Sequence, residues 1–378
     1  MTPTKPSLDL LRALTDENVL RALMERRRLT RAEIAAHTGI SKPTIYEAVG
    51  RLEASGLVVD TGERTTGRGR VGSYYALAGH GRALVASITP HGVVAEAVDA
   101  YGIGHGRRTV PLEPAPGPQA AASALASAAS ALAAEDDGVL RVAVVSAADP
   151  VDRETGRLVH LPDAPFLVGE LDPSEILAPH VTGPVLVDND VNWAARAEHR
   201  CGVAQGVDDF FYLHLGEGLG GTVVSDGVVR RGHRGLVGEI AHLTTVGPDG
   251  RAMPLTEVFA ALGLRRPAST AIDADAVREA LSGGGTEARR TRETLARAVG
   301  GVLAAAVSFV DPHLVVVGGA WGLRPDMAAA IDEHFARSPR PVPVVAAAVE
   351  EPELAGARER AVEELRSLII RSTHPERS

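Results

Sequence analysis

The pattern that most constrains this chain lies in residues 16–60, "DENVLRALMERRRLTRAEIAAHTGISKPTIYEAVGRLEASGLVVD". Apolar residues recur there at helical spacing in three segments. Thr30 followed by Glu33 has the form of a capping box for the second segment, and Ser41 is a good N-cap for the third. The spacing therefore predicts two helices joined by a tight turn at Gly39. A helix carrying Leu20, Leu23 and Met24 precedes them.

A helix, a tight turn and a second helix with a polar N-terminal face form the helix-turn-helix arrangement, whose second helix enters the major groove of DNA. After Gly56, a strand, a loop rich in Gly, Thr and Arg, and another strand predict a wing. An ordinary three-helix packing module with a solvated arginine loop would share part of this pattern. The turn spacing and the wing arginines together favour DNA binding. The candidate DNA-contacting residues are Arg31, Ser41, Lys42, Pro43, Thr44, Tyr46, Arg64, Arg68 and Arg70, of which Pro43 and Tyr46 could equally be packing residues.

The charge of the chain is unevenly distributed. Its 378 residues have a net charge of −9, but residues 1–80 carry 12 Lys and Arg against 9 Asp and Glu, a net of +3. The remaining residues therefore have a net charge of −12. A basic head on an acidic body indicates that only the head meets a polyanion such as double-stranded DNA.

Composition indicates a globular protein of the cytoplasm. Hydrophobic residues make up 45% of the chain, and no apolar run approaches the roughly 20 residues of a membrane span. The first 20 residues are too charged for a signal peptide. Cys201 is the single cysteine, which excludes an intrachain disulfide and a metal site built from several cysteines.

The rest of the chain alternates strand-like and helical segments, which predicts an α/β body with open sheets and a ligand between lobes. We therefore expect a winged helix-turn-helix domain at 1–80 and an α/β body at 81–378. The strand-like runs are 84–88, 140–146, 185–187, 210–215, 222–225 and 314–317. The predicted helices are 119–134, 190–200, 290–309 and 355–371.

A glycine-rich stretch, "LHLGEGLGGTVVSDG" at 213–227, lies between two apolar runs. Backbone N–H groups of such a loop can converge on a phosphate, because glycine permits close approach and positive φ. A glycine-rich turn between two strands is also a plain hairpin. The stretch alone leaves both interpretations open.

Three motifs in order, "VDNDVNWAARAEHRCG" at 187–202, residues 215–242 and "DPHLVVVGGAWG" at 311–322, resemble the ROK family of repressors, open reading frames and sugar kinases. The resemblance is to its repressor branch and covers essentially the whole chain. It implies a winged helix ahead of an actin-like, hexokinase-like body with two lobes. Lobe one would comprise about 81–188 with the C-terminal helix, and lobe two about 189–350.

The resemblance also implies a ligand site. In the family, the carboxylate that takes the proton from the attacking sugar hydroxyl lies in an Asn-Asp pair at a helix start, which matches Asn189 and Asp190. Neighbouring polar groups hold the other hydroxyls. A Glu-x-Gly-His element matches Glu239 and His242, with Ala241 in place of glycine, and a further glutamate matches Glu257. Convergent polar groups in one cleft are typical of carbohydrate sites. Asp190 could alternatively be only a helix cap.

The parts that the family uses for phosphoryl transfer and for zinc are missing. The aspartate of its first phosphate loop is replaced by Ser87, and its glycines by Thr89-Pro90. Phosphoryl transfer depends on positioning and charge neutralisation, and proline also removes an amide donor. Its zinc cysteines are replaced by Pro248, Gly250 and Leu255. We expect no catalytic residue, no metal and no cofactor.

The sequence thus favours a transcriptional regulator, a repressor, whose body binds a sugar or sugar derivative. Operators are commonly two-fold, so a homodimer or homotetramer is expected. Two alternatives stay open. One is a sugar kinase with an appended head. The other is a regulator whose effector is not a sugar, since Asp163 stands where the family usually has asparagine.

Overall fold

The computed structural model describes residues 8–65, 72–79, 81–113, 117–135, 139–161 and 168–373. Its head combines three helices with a small antiparallel sheet of order β1-β3-β2. The predicted helix-turn-helix and the two strands of the wing are confirmed. The elements of the head are α1 (Leu8–Arg26), β1 (Arg28–Thr30), α2 (Arg31–Thr38), α3 (Lys42–Ala54), β2 (Val58–Arg64) and β3 (Ser73–Leu77).

Lobe one contains a five-stranded sheet of order β6-β5-β4-β7-β8. The strands β4, β7 and β8 are parallel, and β5 and β6 are antiparallel to their neighbours. The alanine-rich segment forms a helix on one face, where Ala121, Leu125 and Leu132 are buried. The elements are β4 (Arg82–Thr89), β5 (Gly92–Val98), β6 (Gly104–Pro111), α4 (Pro118–Ala133), β7 (Leu140–Ala147), α5 (Pro173–Leu177) and β8 (Val185–Asn189).

Lobe two repeats this plan with the sheet β11-β10-β9-β14-β15, in which β9, β14 and β15 are parallel. The strands β10 and β11 are antiparallel, as β5 and β6 are in lobe one. The elements are α6 (Asp190–Cys201), β9 (Phe210–Leu215), β10 (Leu219–Ser225), β11 (Val228–Arg230), β12 (Thr244–Val246), β13 (Ala252–Pro254), α7 (Leu255–Ala261), α8 (Ala274–Ala280), α9 (Thr286–Val310), β14 (Leu314–Gly318), α10 (Pro325–Phe335) and β15 (Val344–Ala346).

The chain ends with α11 (Pro352–Arg371), which returns to lobe one and packs on β4, β7 and α6. Buried residues of α11 belong to one apolar cluster with residues of the head and of lobe one. The indole N–H of Trp193 in α6 donates to Val145 O in β7 (3.1 Å), so α6 is also held by lobe one. The two repeated sheets and this return helix confirm the actin-like body.

One helix within the described part of the chain, α9, is long and apolar enough to cross a membrane by length and composition. Half of its most apolar window is buried inside the protein. Its residues Leu295, Val299 and Leu303 belong to the core of lobe two. A core helix of a globular domain has these same properties, so α9 is weak support for a membrane span.

Candidate nucleic-acid interface and effector cleft

The turn between α2 and α3 is fixed by local hydrogen bonds. Glu33 N donates to Thr30 Oγ1 (3.2 Å) and Thr30 N donates to Glu33 Oε2 (2.7 Å), which completes the predicted capping box. Gly39 ends α2 in the left-handed region with φ 72°, where glycine avoids the strain that a Cβ would add. Ser41 then caps α3 by accepting from Thr44 N. The spacing of the two helices follows from these caps.

The first turn of α3 presents a polar, exposed surface. Ile45, Val49 and Leu52 are buried against the head. The candidate contact residues on the opposite side, Ser41, Lys42, Pro43, Thr44 and Tyr46, are all exposed. This is the part of a recognition helix that approaches base edges in the major groove.

Arg31 occupies a different environment from the other candidate contact residues. Its guanidinium lies over the Tyr46 ring at 4.2 Å and over the Tyr75 ring at 4.7 Å, and it lies 3.9 Å from Glu53. Arg31 therefore connects α2, α3 and β3 and holds Tyr46 in place. The sequence pattern did not reveal this stacking, because the three partners come from separate elements.

The base of the wing is described, but its tip is not. Arg64 ends β2 and forms an ion pair with Asp60 (2.9 Å), with its side chain about half exposed. The predicted contacts of Arg68 and Arg70 fall outside the described residues. Arg64 can still turn toward a phosphate, because an exposed ion pair of this kind is weak.

A cleft with a cavity of about 400 Å³ separates the two lobes. Lobe one contributes the β4–β5 turn at residues 89–91. Lobe two contributes the glycine-rich β9–β10 hairpin at 216–221, and the start of α11 closes a further side. A cavity of this size between lobes suits a small ligand.

Asn189 and Asp190 line this cleft where β8 passes into α6. Asn189 is the N-cap: its Oδ1 accepts from Val191 N (3.0 Å) and its Nδ2 donates to Asp149 O (3.3 Å). Asp190 is the first helical residue, and burial followed by the charge of Glu353 raises its pKa to about 8. The alternative that Asp190 is only a cap is not supported, because Asn189 caps the helix.

Of the other three predicted ligand residues, only Glu239 lines the cleft. Burial, followed by the charge of Asp149, raises the pKa of Glu239 to about 7. His242 is exposed and does not line the cavity. Glu257 lies on α7, whose buried face is formed by other residues, and pairs with Arg265 at 2.7 Å. The prediction that all five side chains converge is therefore wrong for His242 and Glu257 in this conformation.

The glycine-rich stretch forms a hairpin whose turn is closed by a hydrogen bond from Gly216 N to Gly218 O (3.1 Å). At its tip Glu217 forms an ion pair with Arg266 and lies 3.1 Å from His91 Nε2 across the cleft. The two turns that the ROK resemblance relates to phosphate binding are thus bridged by a carboxylate. Sequence reasoning missed Glu217, because nothing near it in the sequence identifies its two partners.

Other residues of the cleft were also not predicted, among them Tyr212 and His214 on β9 and Glu351 and Glu353 at the start of α11. The apolar run at 210–215 predicted a strand but gave its side chains no role in a site. The end of α6 and the start of α11 are separated by 150 residues of sequence. Among the described residues, no group of three or more His, Cys, Asp or Glu is placed to hold a metal ion.

Comparison with known proteins agrees with this architecture. The ROK family model matches residues 107–358, and a winged helix-turn-helix DNA-binding model matches residues 12–59. The N-acetylmannosamine kinase of Escherichia fergusonii is 28% identical over 249 residues, which are 62% of this chain and 81% of that protein. The bifunctional enzyme NanE/NanK of Brucella melitensis is 34% identical over 142 residues. That match spans 37% of this chain but only 27% of the Brucella enzyme.

Solved structures resemble the chain at two levels. A ROK family transcriptional regulator, described as a homolog of the Escherichia coli MLC protein, has a TM-score of 0.65 and 16% identity, and the match covers 95% of this chain and 99% of that one. A Streptomyces griseus ROK family glucokinase in complex with glucose and AMPPNP has a TM-score of 0.56 and 25% identity over 75% of this chain and all of that one. The kinase therefore matches the body without the head.

A winged helix-turn-helix joined to a two-lobed, sugar-kinase-like body defines a class of DNA-binding regulators. The chain belongs to the ROK family. Its head and body together have the architecture of a regulator of that family.

Proposed function

We propose that this protein is a transcriptional repressor whose DNA affinity changes when a sugar or sugar derivative binds in the cleft between its lobes. Lys42 and Thr44 at the start of α3 would contact bases, and Asn189, Asp190 and Glu239 would contact the ligand. The kinase alternative arises from the named relatives, which include an N-acetylmannosamine kinase and a glucokinase.

The observation that carries this proposal is the course of α11. Its first residues, including Glu353, line the cleft. The helix has 20 residues and is therefore about 30 Å long. Near its other end, Arg366 donates to Ala100 O (2.7 Å) in lobe one and to Met24 O (3.4 Å) in the head. A rigid helix that contacts both the ligand cavity and the DNA-binding head can connect them mechanically.

The joint between head and body has a second polar contact. The Tyr101 hydroxyl donates to Arg27 O (3.2 Å), and Leu77 N donates to the same hydroxyl (3.1 Å). A ligand that bridges the lobes favours one closure angle, and it can shift that equilibrium only by its difference in affinity for the two states. Because the head is fixed to lobe one, closure would change the spacing of two heads in a dimer.

The cleft is poorly suited to ATP. Pro90 removes an amide donor from one turn, and Glu217 places a carboxylate between the two turns. Among the described residues that line the cavity there is no Arg or Lys. Transfer of a phosphoryl group requires neutralisation of its charge, which these residues do not provide. They support a binding role without phosphoryl transfer.

A homodimer or homotetramer is part of this proposal. A single winged helix makes few contacts, and two-fold operators match two-fold proteins. Three leucines of α1, Leu8, Leu11 and Leu14, are exposed. A second copy of the chain could cover these apolar side chains in a dimer. Light scattering at micromolar concentration should give at least twice the mass of the 39.4 kDa chain. A monomer that still binds DNA tightly would contradict this part.

The test of the whole proposal begins with duplex DNA selected from a random pool by the intact protein. The dissociation constant for that DNA is measured alone and with a panel of hexoses, hexosamines, N-acetylhexosamines and hexose 6-phosphates. We expect at least one of these compounds to change DNA affinity by about 5–150-fold, the usual range of allosteric coupling. A promoter overlapping the selected site should be transcribed less when the protein is bound.

The decisive variant is Asp190→Ala. It should abolish the response to the compound and leave DNA affinity without the compound nearly intact, because Asp190 lies in the cleft and not in the head. Asp275→Ala, which removes an exposed carboxylate on α8, is the matched control. Phosphoryl transfer from ATP with Mg²⁺ that disappears in Asp190→Ala would instead make the protein a kinase.

A further inference from the structure

The walls of the cleft are rich in acidic side chains. Five carboxyl side chains line it and come from four parts of the chain: Asp190, Glu217, Glu239, Glu351 and Glu353. The basic side chains among the described lining residues are two histidines. Burial lowers the pKa of His214 to about 4, so it is neutral at pH 7. His91 is exposed at the rim beside Glu217.

Two of the five carboxylates have permanent cationic partners. Glu217 pairs with Arg266, and Glu351 accepts from Arg107 Nη1 at 2.9 Å. Both arginines lie outside the cavity wall. These two ion pairs neutralise the charges of Glu217 and Glu351 and place no cation in the cavity wall.

For the other three, Asp190, Glu239 and Glu353, the neighbouring charges that affect the pKa all come from acidic side chains among the described residues. Asp190 accepts one hydrogen bond, from Val191 N. Burial raises the pKa of Glu353, and the charge of Glu353 in turn contributes to the raised pKa of Asp190. Three nearby carboxyl groups without a counter-charge are a costly arrangement in the empty protein.

An independent observation, on the strand β9, also points to a ligand. Tyr212 is 1% exposed, and it lines the cleft. Its phenol forms part of the cavity wall. Burial, followed by the charges of Glu198, Glu353 and Asp190, raises the pKa of Tyr212, so the group remains a neutral phenol. The phenol can donate to an oxygen of a bound molecule, and at the tip of the adjoining hairpin Glu217 Oε2 is buried without a hydrogen-bond partner among the described residues.

We propose that the ligand of this cleft carries a protonated amino group beside its hydroxyl groups, as an amino sugar does, and that Glu353 with Asp190 and Glu239 binds the ammonium. This inference rests on the proposed function and specifies the ligand class. Glu353 supplies a carboxylate from α11, so a ligand bound in this way contacts the helix that reaches the head. The Tyr212 hydroxyl and the Asn189 side chain are placed to bind neutral hydroxyl groups.

Charge and hydrogen bonding both favour an amino sugar over a neutral hexose, a hexose phosphate or an N-acetyl sugar. An ammonium offers three donors, and each bond to a carboxylate is charge-assisted. A neutral hexose can hydrogen-bond to the same oxygens, but it does not stabilise their ionised forms as an ammonium does. A hexose phosphate adds two negative charges to a cavity whose described wall has no Arg or Lys. N-acetylation removes the positive charge and adds bulk.

The test uses the intact protein and three matched sets of probes: glucosamine, mannosamine and galactosamine, each with its parent hexose and its N-acetyl derivative. Glucose 6-phosphate is added as an anionic probe. Affinities are measured by calorimetry at pH 7, together with thermal shifts. We expect at least one amino sugar to bind tenfold or more tightly than both its parent hexose and its N-acetyl derivative. Its affinity should fall with added salt, whereas that of the parent should not.

Glu353→Gln removes one charge from the wall and should reduce the preference for the amino sugar over its parent about tenfold. Glu350→Gln makes the same change at an exposed neighbouring position that does not line the cleft, and it should leave the preference unchanged. The comparison of probes on the unmodified protein does not depend on whether either variant folds. Equal binding of amino sugar and parent, tighter binding of an N-acetyl or phosphate derivative, or no binding of any amino sugar would overturn the inference. A neutral hexose that changes DNA affinity and loses this effect in Asp190→Ala would overturn it while leaving the proposed function intact.

Discussion

The recognition surface of the head and the cleft of the body are both polar, but they are built in opposite ways. The candidate contacts at the start of α3 are exposed, and the hydroxyls of Ser41 and Thr44 lie 2.8 Å apart on one helix turn. In the cleft, carboxylates from β8–α6, the 239 region and α11 are drawn together with little compensation. In the head, the candidate contact residues are close together in the sequence. In the cleft, carboxyl groups from distant parts of the sequence lie together, and several of their pKa values are raised.

This difference indicates where ligands are expected to act. An exposed polar surface can contact a large partner, such as the groove of a DNA duplex, without a change in the conformation of the head. A cavity whose ionisable groups repel one another stores unfavourable free energy that a complementary ligand can relieve. Two results would contradict this contrast. One is that substitutions on α3 leave DNA binding unchanged, and the other is that the carboxyl groups of the cleft titrate near their ordinary pKa values.

The largest expected effect lies in the head. Lys42→Ala and Thr44→Ala should each weaken binding to the selected DNA by about 1–3 kcal/mol if the side chain reads a base. Affinity for random duplex should change much less after Thr44→Ala, which removes no charge. Arg337→Ala, an exposed cation of lobe two, is the control for net charge. Unchanged specific binding in both head variants would remove the recognition assignment.

In the cleft, pH should change stability. The pKa of Asp190 is raised to about 8 and that of Glu239 to about 7, whereas an unfolded Asp or Glu titrates near 4. The stabilising contribution of these protonated carboxyls is therefore full below pH ~4 and is lost as pH rises through about 7 and 8. The free energy of unfolding of the wild type relative to Asp190→Asn should fall by roughly 1–3 kcal/mol between pH 5 and 8, measured with denaturant. A constant difference would show that Asp190 is not perturbed.

The two regions also differ in what the sequence could predict. Caps, the turn glycine and helical periodicity depend on residues close together in the chain, so the capping box of Thr30 and Glu33 and the N-cap Ser41 were predictable. Several strands and helices of the body were predicted from their apolar patterns, but β5, β6 and α10 were missed. Short elements, such as β15 and α7, lacked enough residues to show a period.

The cleft was predicted only where the ROK motifs identified residues. Asn189, Asp190 and Glu239 are brought together as the resemblance implied. Glu257 was assigned by its position after a lost zinc motif, but helical geometry directs it to Arg265 because its neighbours are buried. Glu217 and Glu353 could not be found, since their significance depends on partners across the two lobes.

The joint between the regions should have an intermediate effect. Arg366→Met keeps an unbranched apolar side chain but removes the donors to Met24 O and Ala100 O. We expect the effector-induced change in DNA affinity to shrink about tenfold, which corresponds to about 1.4 kcal/mol of coupling. Effector binding and DNA binding measured separately should persist. An unchanged response would mean that α11 does not connect the cleft with the head.

The smallest expected effect is at the base of the wing. Arg64 is about half exposed and is already paired with Asp60, so a phosphate contact would exchange one weak ion pair for another. Arg64→Ala should weaken DNA binding only a few-fold, about 1 kcal/mol or less, and should do so equally for selected and random duplex. The slope of log affinity against log salt should decrease by about one, because one fewer counterion is released. Asp60→Ala removes the ion-pair partner of Arg64. It should therefore have the opposite effect on DNA affinity, with tighter binding of both duplexes. A loss of sequence preference in Arg64→Ala would instead place this arginine among the base-reading residues, and would extend the recognition surface from α3 to the wing.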